Sequence, residues 1–331
     1  MHKYQAYYTL TLQPIHSNMI TGRVLFIDSA HPVLSEELTR IGLECVHYEG
    51  LERQEILDQI HLYTGIIIRS KIKLDAEALK LATKLKFIGR VGAGMENIDW
   101  QYAESLGIKC LNAPEGNRDA VAEHAMGMLL SLLNHLCRVN LEVRNGIWIR
   151  SGNRGTEVKG KTIGIIGYGN TGSAFAERLR GFGAEVIAFD KFKTGFGNEW
   201  VKEVHMDEIF RKTDILSLHV PLTEETLNLV NSEYLVRFSK PLYLINTARG
   251  QCVNTAELVN ELETGKVKGA ALDVLDCEKL SFENLELNDL PEHYQKLFTS
   301  EKVILSPHIA GWTHESHYRL AKVLVDKIIK L

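Results

Sequence analysis

The chain has 331 residues, 45% of them hydrophobic, and a formal net charge of −4. That length can bury two separate cores. The slight acidic balance excludes the overall basic excess of a nucleic-acid or anionic-membrane binder, which leaves a small molecule as the expected partner, with no nucleic acid and no membrane. The five cysteines, Cys45, Cys110, Cys137, Cys252 and Cys277, are scattered without a C-x-x-C pair. They read as reduced thiols of a cytoplasmic protein.

Residues 1–20 lack the basic and apolar halves of an export signal. They are read as a loose extension or as preceding a true start at Met19, with Tyr7 to Leu12 as an optional edge strand. Regular structure begins with a buried strand at Arg23 to Asp28, a helix over 32–42 and a strand at Glu44 to Tyr48, a βαβ unit. A helix from Leu51 to Leu62 follows, then a strand from Thr64 whose apolar run stops at Arg69, Ser70 and Lys71. Charged groups just past a strand's carboxyl end lie where open parallel sheets bind ligands. After a helix at Leu74 to Ala82, the run Leu85 to Val91 leads into Gly92-Ala93-Gly94. This turn lacks a third glycine and a strand-terminal acid, so it is read as presenting backbone amides to a small anion.

Asn112 to Asn117 is a Pro/Gly crossing between domains, and Arg118 to Arg144 reads as one long helix with a broad apolar stripe. Such a helix buries more than one domain face provides, so part of it is expected to pack on a second copy of the chain.

The strongest signal is Lys161 to Asp190. Thr162 to Ile166 is a β-branched run that stops at Gly167, Gly169 and Gly172 before a helix-forming segment. A second apolar run ends in Asp190, at the distance of about 20 residues that a dinucleotide fingerprint asks for. One glycine makes the turn, one admits a pyrophosphate to the backbone amides, and one lets helix and strand pack closely. Asp190 would accept hydrogen bonds from a ribose and repel a 2′-phosphate, so NAD is favoured over NADP.

Further strands are expected at Thr213 to Val220, Pro241 to Asn246, Lys268 to Val274 and Val303 to Leu305, which makes six in this sheet. Helices are expected at Ser232 to Phe238 and Thr255 to Glu263, and residues 279–300 read as a long excursion with one short helix near Glu292 to Leu297. A last helix, His314 to Ile329, should return to the first domain. The expected fold class is α/β, with two doubly wound parallel-sheet domains. One is a Rossmann NAD-binding domain over residues 116–305; the other is a smaller flavodoxin-like substrate domain over 1–115, completed by 306–331.

Three strand ends of the nucleotide domain carry Arg249, Glu278 and His308. A guanidinium can grip a carboxylate and polarise the adjacent carbonyl, and an imidazole oriented by a carboxylate can move a proton near neutral pH. His314 and His317 could in principle hold a metal, but with no third ligand no metal is expected.

At these residues the chain resembles the D-isomer-specific 2-hydroxyacid dehydrogenase family. The resemblance is carried by Val91 to Asp99, Asn112 to Asn117 with Val121 to Glu123, Gly164 to Gly172, His219 to Thr223, Ile245 to Gly250, Ala271 to Glu278 and Ser306 to Gly311. It implies Arg249, Glu278 and His308 as a catalytic triad, and NAD contacts from Gly167, Gly169, Asn170, Thr171, Gly172, Asp190, Val220, Pro221, Thr247, Ala248, Asp273 and Gly311. It also implies substrate contacts from Arg69, Ser70, Gly92, Ala93 and Gly94, and a homodimer formed through the NAD-binding domain. Lys279 stands where the family commonly has proline, and the interval from Glu278 to His308 is longer than expected, so the substrate pocket should be reshaped there. The C-terminal regulatory domains of longer phosphoglycerate dehydrogenases are not expected. The implied reaction is NAD-dependent interconversion of a D-2-hydroxy acid and its 2-keto acid. The favoured substrate is 3-phosphoglycerate, which belongs to serine biosynthesis, because Arg69, Lys71 and Arg118 could neutralise a phosphate. Glyoxylate or hydroxypyruvate reduction is the alternative within the class, and an NADH-sensing corepressor-like protein is the alternative outside it.

Overall fold

Short runs of Val, Ile and Leu bounded by turn residues become parallel strands in two sheets. The computed structural model describes residues 21–48, 50–278 and 290–331; expectations for residues 1–20 and for most of the long excursion lie outside them. The first sheet takes β1 (Gly22–Phe26), β2 (Leu43–His47), β3 (Gly65–Ile68), β4 (Phe87–Arg90) and β5 (Lys109–Asn112), in the order β2-β1-β3-β4-β5, with every pair parallel. Between them run α1 (Pro32–Arg40), α2 (Arg53–Gln59), α3 (Ala76–Leu81) and α4 (Trp100–Ser105). All four residues of β3 are buried, because helices cover both faces and no alternation survives.

The chain then crosses into α5 (Arg118–Leu133) and α6 (Leu136–Arg144). One continuous helix was expected here, and the structure breaks it at His135, which takes a left-handed φ of 54°. The cause is long-range: Thr156 N donates to Leu133 O at 2.9 Å, claiming a carbonyl that the next helical turn would need. Asn134 adds a local stop, its Nδ2 donating to Leu130 O at 3.0 Å.

The second sheet holds β6 (Thr162–Ile166), β7 (Glu185–Phe189), β8 (Lys202–Glu203), β9 (Ile215–Leu218), β10 (Leu242–Asn246), β11 (Val267–Leu272) and β12 (Val303–Leu305). Their order is β12-β11-β10-β9-β6-β7-β8, again all parallel. The sheet therefore has seven strands where six were expected. The extra one, β8, is only two exposed residues paired with Ile187 and Ala188, too short and polar to show a period in sequence.

The intervening helices are α7 (Asn170–Arg178), α8 (Met206–Lys212), α9 (Ser232–Val236), α10 (Thr255–Thr264) and α11 (Glu292–Thr299). The strand order reverses at β6, flanked by β7 and β9, and that switch point opens the crevice where such sheets take ligands. The last helix, α12 (His314–Ile328), packs on α1, β4 and β5, with Leu320, Leu324 and Val325 buried against Val24, Phe26 and Ile67. Among the described residues no helix is long and apolar enough to cross a membrane.

Candidate active site

The glycine turn after β6 separates into three physical roles. Gly167 has φ +90°, and a Cβ there would lie 2.4 Å from His219 O, so the turn itself requires glycine. At Gly172 a Cβ would meet Gly167 O at 2.0 Å, which fixes how closely α7 packs on the turn. Gly169, the residue before α7, has nothing within 4 Å of an added Cβ. The open space lies at the residue before a helix, whose N-terminal amides are the natural seat of a phosphate. Asp190, just past β7, accepts from Tyr168 N at 2.7 Å through one oxygen, and from Phe192 N at 2.9 Å and Lys193 N at 3.0 Å through the other. Under the turn, His219 is bonded to Ser217 Oγ at 2.9 Å and Thr171 Oγ1 at 3.2 Å. Burial pushes its pKa down to about 3, so it is a neutral strut.

Arg249 follows β10 on a turn shaped by buried Asn246. The Asn246 Oδ1 accepts from Ala248 N at 3.0 Å and its Nδ2 donates to Arg249 O at 2.9 Å. In the same turn Thr247 Oγ1 is buried without a partner among the described residues, as expected of a donor kept for a ligand. Opposite, Asp273 at the end of β11 is 1% exposed and ties down the crossing segment after β12. It accepts from Ile309 N at 2.9 Å, Ala310 N at 2.8 Å and Ser306 Oγ at 2.5 Å, while its backbone carbonyl takes His308 N at 2.7 Å. These bonds hold His308 at φ 55°, a conformation a non-glycine residue rarely adopts. Its Nδ1 lies 2.7 Å from Glu278 Oε2, and the other Glu278 oxygen accepts from Leu275 N. A carboxylate so placed selects the tautomer protonated on Nδ1, in which Nε2 is the basic nitrogen that can take a proton.

A cleft of about 1020 Å³ lies between the two sheets. Arg69, Ser70, Gly92, Ala93 and Gly94 line it from the first sheet, while Asn170, Thr171, Val220, Pro221, Thr247, Ala248, Arg249, Asp273, His308 and Gly311 line it from the second. Gly167, Gly169, Gly172 and Asp190 form the adjoining turn, and Glu278 stands behind His308. The fit to a dinucleotide thus rests on the open space at Gly169, the orphaned Thr247 hydroxyl and the acid at the second strand end.

Two expected cations are absent from the lining. Lys71 is exposed, its backbone N bonded to Asp28 Oδ2 at 3.3 Å, and Arg118 lies 3.9 Å from Asp119 in a separate small pocket beside Tyr168 and Ser173. Arg90 takes their place. Its guanidinium lies against Gly92, where an added Cβ would meet Nη1 at 1.5 Å, and its Nε is buried without a partner among the described residues. Burial pushes its pKa down to about 10, which leaves it charged at neutral pH. Glu96 and Trp312 were also missed: Glu96 Oε1 accepts from Arg249 Nε at 2.7 Å, and Arg69 stacks over the Trp312 ring at 4.1 Å. An arginine ending an otherwise apolar strand was the available signal for Arg90; no comparable signal marks the other two.

An imidazole–carboxylate pair and a guanidinium gathered beside a dinucleotide turn define the class: a nicotinamide-dependent oxidoreductase acting on a small carboxylic acid. The profile described as the D-isomer specific 2-hydroxyacid dehydrogenase, NAD binding domain, matches residues 126–310. The chain belongs to that family, whose cofactor is NAD. It is 36% identical to a hydroxypyruvate reductase of Thermotoga maritima, over 85% of this chain and 89% of that protein. It is 35% identical to a D-3-phosphoglycerate dehydrogenase of Bacillus subtilis over 82% of this chain, but spans only 50% of that protein's length. The D-lactate dehydrogenase of Aquifex aeolicus, solved with NAD and lactic acid, superposes with a TM-score of 0.79 at 29% identity, covering 92% of this chain and 94% of that one.

Proposed function

We propose that this protein interconverts a D-2-hydroxy acid and its 2-keto acid, and that the acid carries a second anionic group, 3-phosphoglycerate being the best fit. The observation that carries this reading is the convergence of Arg69, Arg90 and Arg249 on one cleft that also holds His308. Arg249 grips the C1 carboxylate and polarises the C2 oxygen, assisted by the Gly92 to Gly94 amides. Arg69 and Arg90 take the distal anion. His308 receives the hydroxyl proton on Nε2, and Glu278 stabilises the imidazolium that results. NAD, when bound, would accept the hydride that leaves C2. Closure about residues 112–118 and 303–307 excludes water. Residues 1–115 with 306–331 serve as the substrate domain, and 116–305 as the NAD domain.

Hydroxypyruvate reduction is the second reading, supported by the Thermotoga maritima relative, 89% of whose own length this chain covers. The test is NADH consumption against phosphohydroxypyruvate, hydroxypyruvate, glyoxylate and 2-oxoglutarate side by side. The highest kcat/KM is expected with phosphohydroxypyruvate. A preference for hydroxypyruvate would move the protein to the second reading, and NADH binding without turnover of any keto acid would favour a corepressor-like role instead. We also propose a homodimer formed through the NAD domain. Its support is the apolar surface of α6 and the segment after it, where Leu141 is 62% and Trp148 78% exposed. Unpaired thiols at Cys45, Cys110, Cys137, Cys252 and Cys277 suit a cytoplasmic enzyme.

A further inference from the structure

Arg249 is already engaged by a carboxylate of the protein itself. Its Nη1 donates to Ala248 O at 2.6 Å, which leaves the Nε side of the guanidinium as the face on which an acid can dock. Glu96, on the turn that leaves β4, holds that face at 2.7 Å. The contact spans the cleft, from the first sheet to the second. Its position coincides with the anion-binding turn: a Cβ placed on Gly94 would lie 2.1 Å from Glu96 Oε2 and 2.2 Å from Arg249 Nη2. Burial alone would push the Glu96 pKa up, but Arg249 and then Arg90 hold it below the usual glutamate range, so the pair is ionic. Both side chains remain partly open to solvent, at 35% and 27%, and the glutamate has room to leave. Glu278, by contrast, is bonded to His308 and to the backbone of its own segment, with no contact of this kind across the cleft among the described residues.

We propose that Glu96 is an internal carboxylate seated where the substrate's C1 carboxylate docks on Arg249, and that it must swing out before a 2-keto acid can bind. The inference rests on the functional reading above and deepens it, since the glutamate then sets KM and admits only ligands that bring a carboxylate of their own. Apparent affinity falls by the fraction of molecules in which the seat is open. For a partly exposed, charge-assisted pair that fraction corresponds to roughly a three- to tenfold penalty.

The test compares wild type, Glu96→Gln and Glu96→Asp, each saturated with NADH. Glutamine keeps the shape without the charge; aspartate keeps the charge but withdraws it by one methylene. Oxalate affinity is measured by calorimetry, and KM and kcat with hydroxypyruvate by NADH consumption. Both variants are expected to bind oxalate roughly three- to tenfold more tightly and to lower KM in parallel, with kcat little changed. Unchanged or weaker oxalate binding overturns the proposal, and so does a raised KM with a fall in kcat, which would make Glu96 a residue that orients Arg249. Tightening in Glu96→Gln alone also overturns it, because long-range charge would then suffice. If no variant reduces any keto acid, the dehydrogenase reading fails while the oxalate measurement still decides whether Glu96 occupies the seat.

Discussion

The three glycines of the dinucleotide turn make separable predictions, and Gly169→Ala is the most informative. An added Cβ meets no protein atom within 4 Å, and the backbone there has φ −83° and ψ −149°, at the margin of the extended region alanine adopts. The ligand-free protein should therefore lose about 1 kcal/mol, the order of cost of exchanging Gly for Ala at the residue before a helix. The methyl would instead fill the space over the α7 amides. A pyrophosphate pushed off them would lose charge-assisted hydrogen bonds worth about 1.5–3 kcal/mol each, or roughly a ten- to hundredfold rise in the Kd for NADH. Two assays read the two halves: thermal melting without cofactor, and NADH fluorescence titration. Gly172→Ala is the control, because its Cβ would lie 2.0 Å from Gly167 O. It should lower the melting temperature of the ligand-free protein, an overpacking cost of about 1–3 kcal/mol. If Gly169→Ala bound NADH like wild type, or melted as early as Gly172→Ala, the assignment of the open space to a phosphate would be wrong.

Other expectations follow from the same geometry. His308→Ala should lose turnover by roughly 10² or more with NADH affinity retained; Glu278→Gln, which keeps a hydrogen-bond partner for Nδ1 without its charge, should fall less, and single-turnover kinetics would separate the two. Burial holds the His219 pKa down to about 3 in the folded protein, against the ordinary 6.5 of an unfolded chain. Between those values the unfolded chain holds the extra proton, so this group costs stability as pH falls through that window, by about 1.4 kcal/mol per pH unit. Denaturant melts from pH 7 to 5 should show the slope, and His219→Asn should lack that share of it. Arg90→Gln should raise KM for phosphohydroxypyruvate far more than for glyoxylate, which has no distal anion for it to meet. Trp148→Glu should shift sedimentation toward monomer if the apolar surface after α6 joins two copies.

Local chemistry made much of the fold legible. The Gly167, Gly169 and Gly172 spacing and the acid at Asp190 follow from rules that act within one strand, turn and helix, so they could be read in order. Arg249, Glu278 and His308 were legible as strand-end groups, because the carboxyl ends of a parallel sheet share one edge. What could not be read depends on segments distant in sequence. The break at His135 requires Thr156 to reach Leu133, and the role of Glu96 requires Arg249 to come across the cleft. The same limit explains why Lys71 and Arg118 are the cations expected at the phosphate and Arg90 is not. Only side-chain direction in three dimensions shows that Arg90 faces the cleft.

That distribution of legible and hidden contacts bears on how the site works. The groups proposed to act on the reacting carbon are held by bonds at the strand ends of the second sheet: Asn246 shapes the Arg249 turn, and Asp273 pins the His308 segment. The groups proposed to choose the substrate, Arg69, Arg90 and the Gly92 to Gly94 turn, stand on the first sheet, and the Glu96–Arg249 pair links them directly to Arg249. Chemistry and selection are thus built on different cores and meet through a contact that can open. Substitutions at Arg69 or Arg90 should then redirect the choice of acid while leaving the Glu278–His308 bond intact, whereas a change at Asp273 should disturb that bond for every acid alike. Comparing kcat/KM across the four keto acids for Arg90→Gln and Asp273→Asn tests this directly: a uniform loss in the first, or an acid-dependent loss in the second, would show that the two functions are not separated in this way.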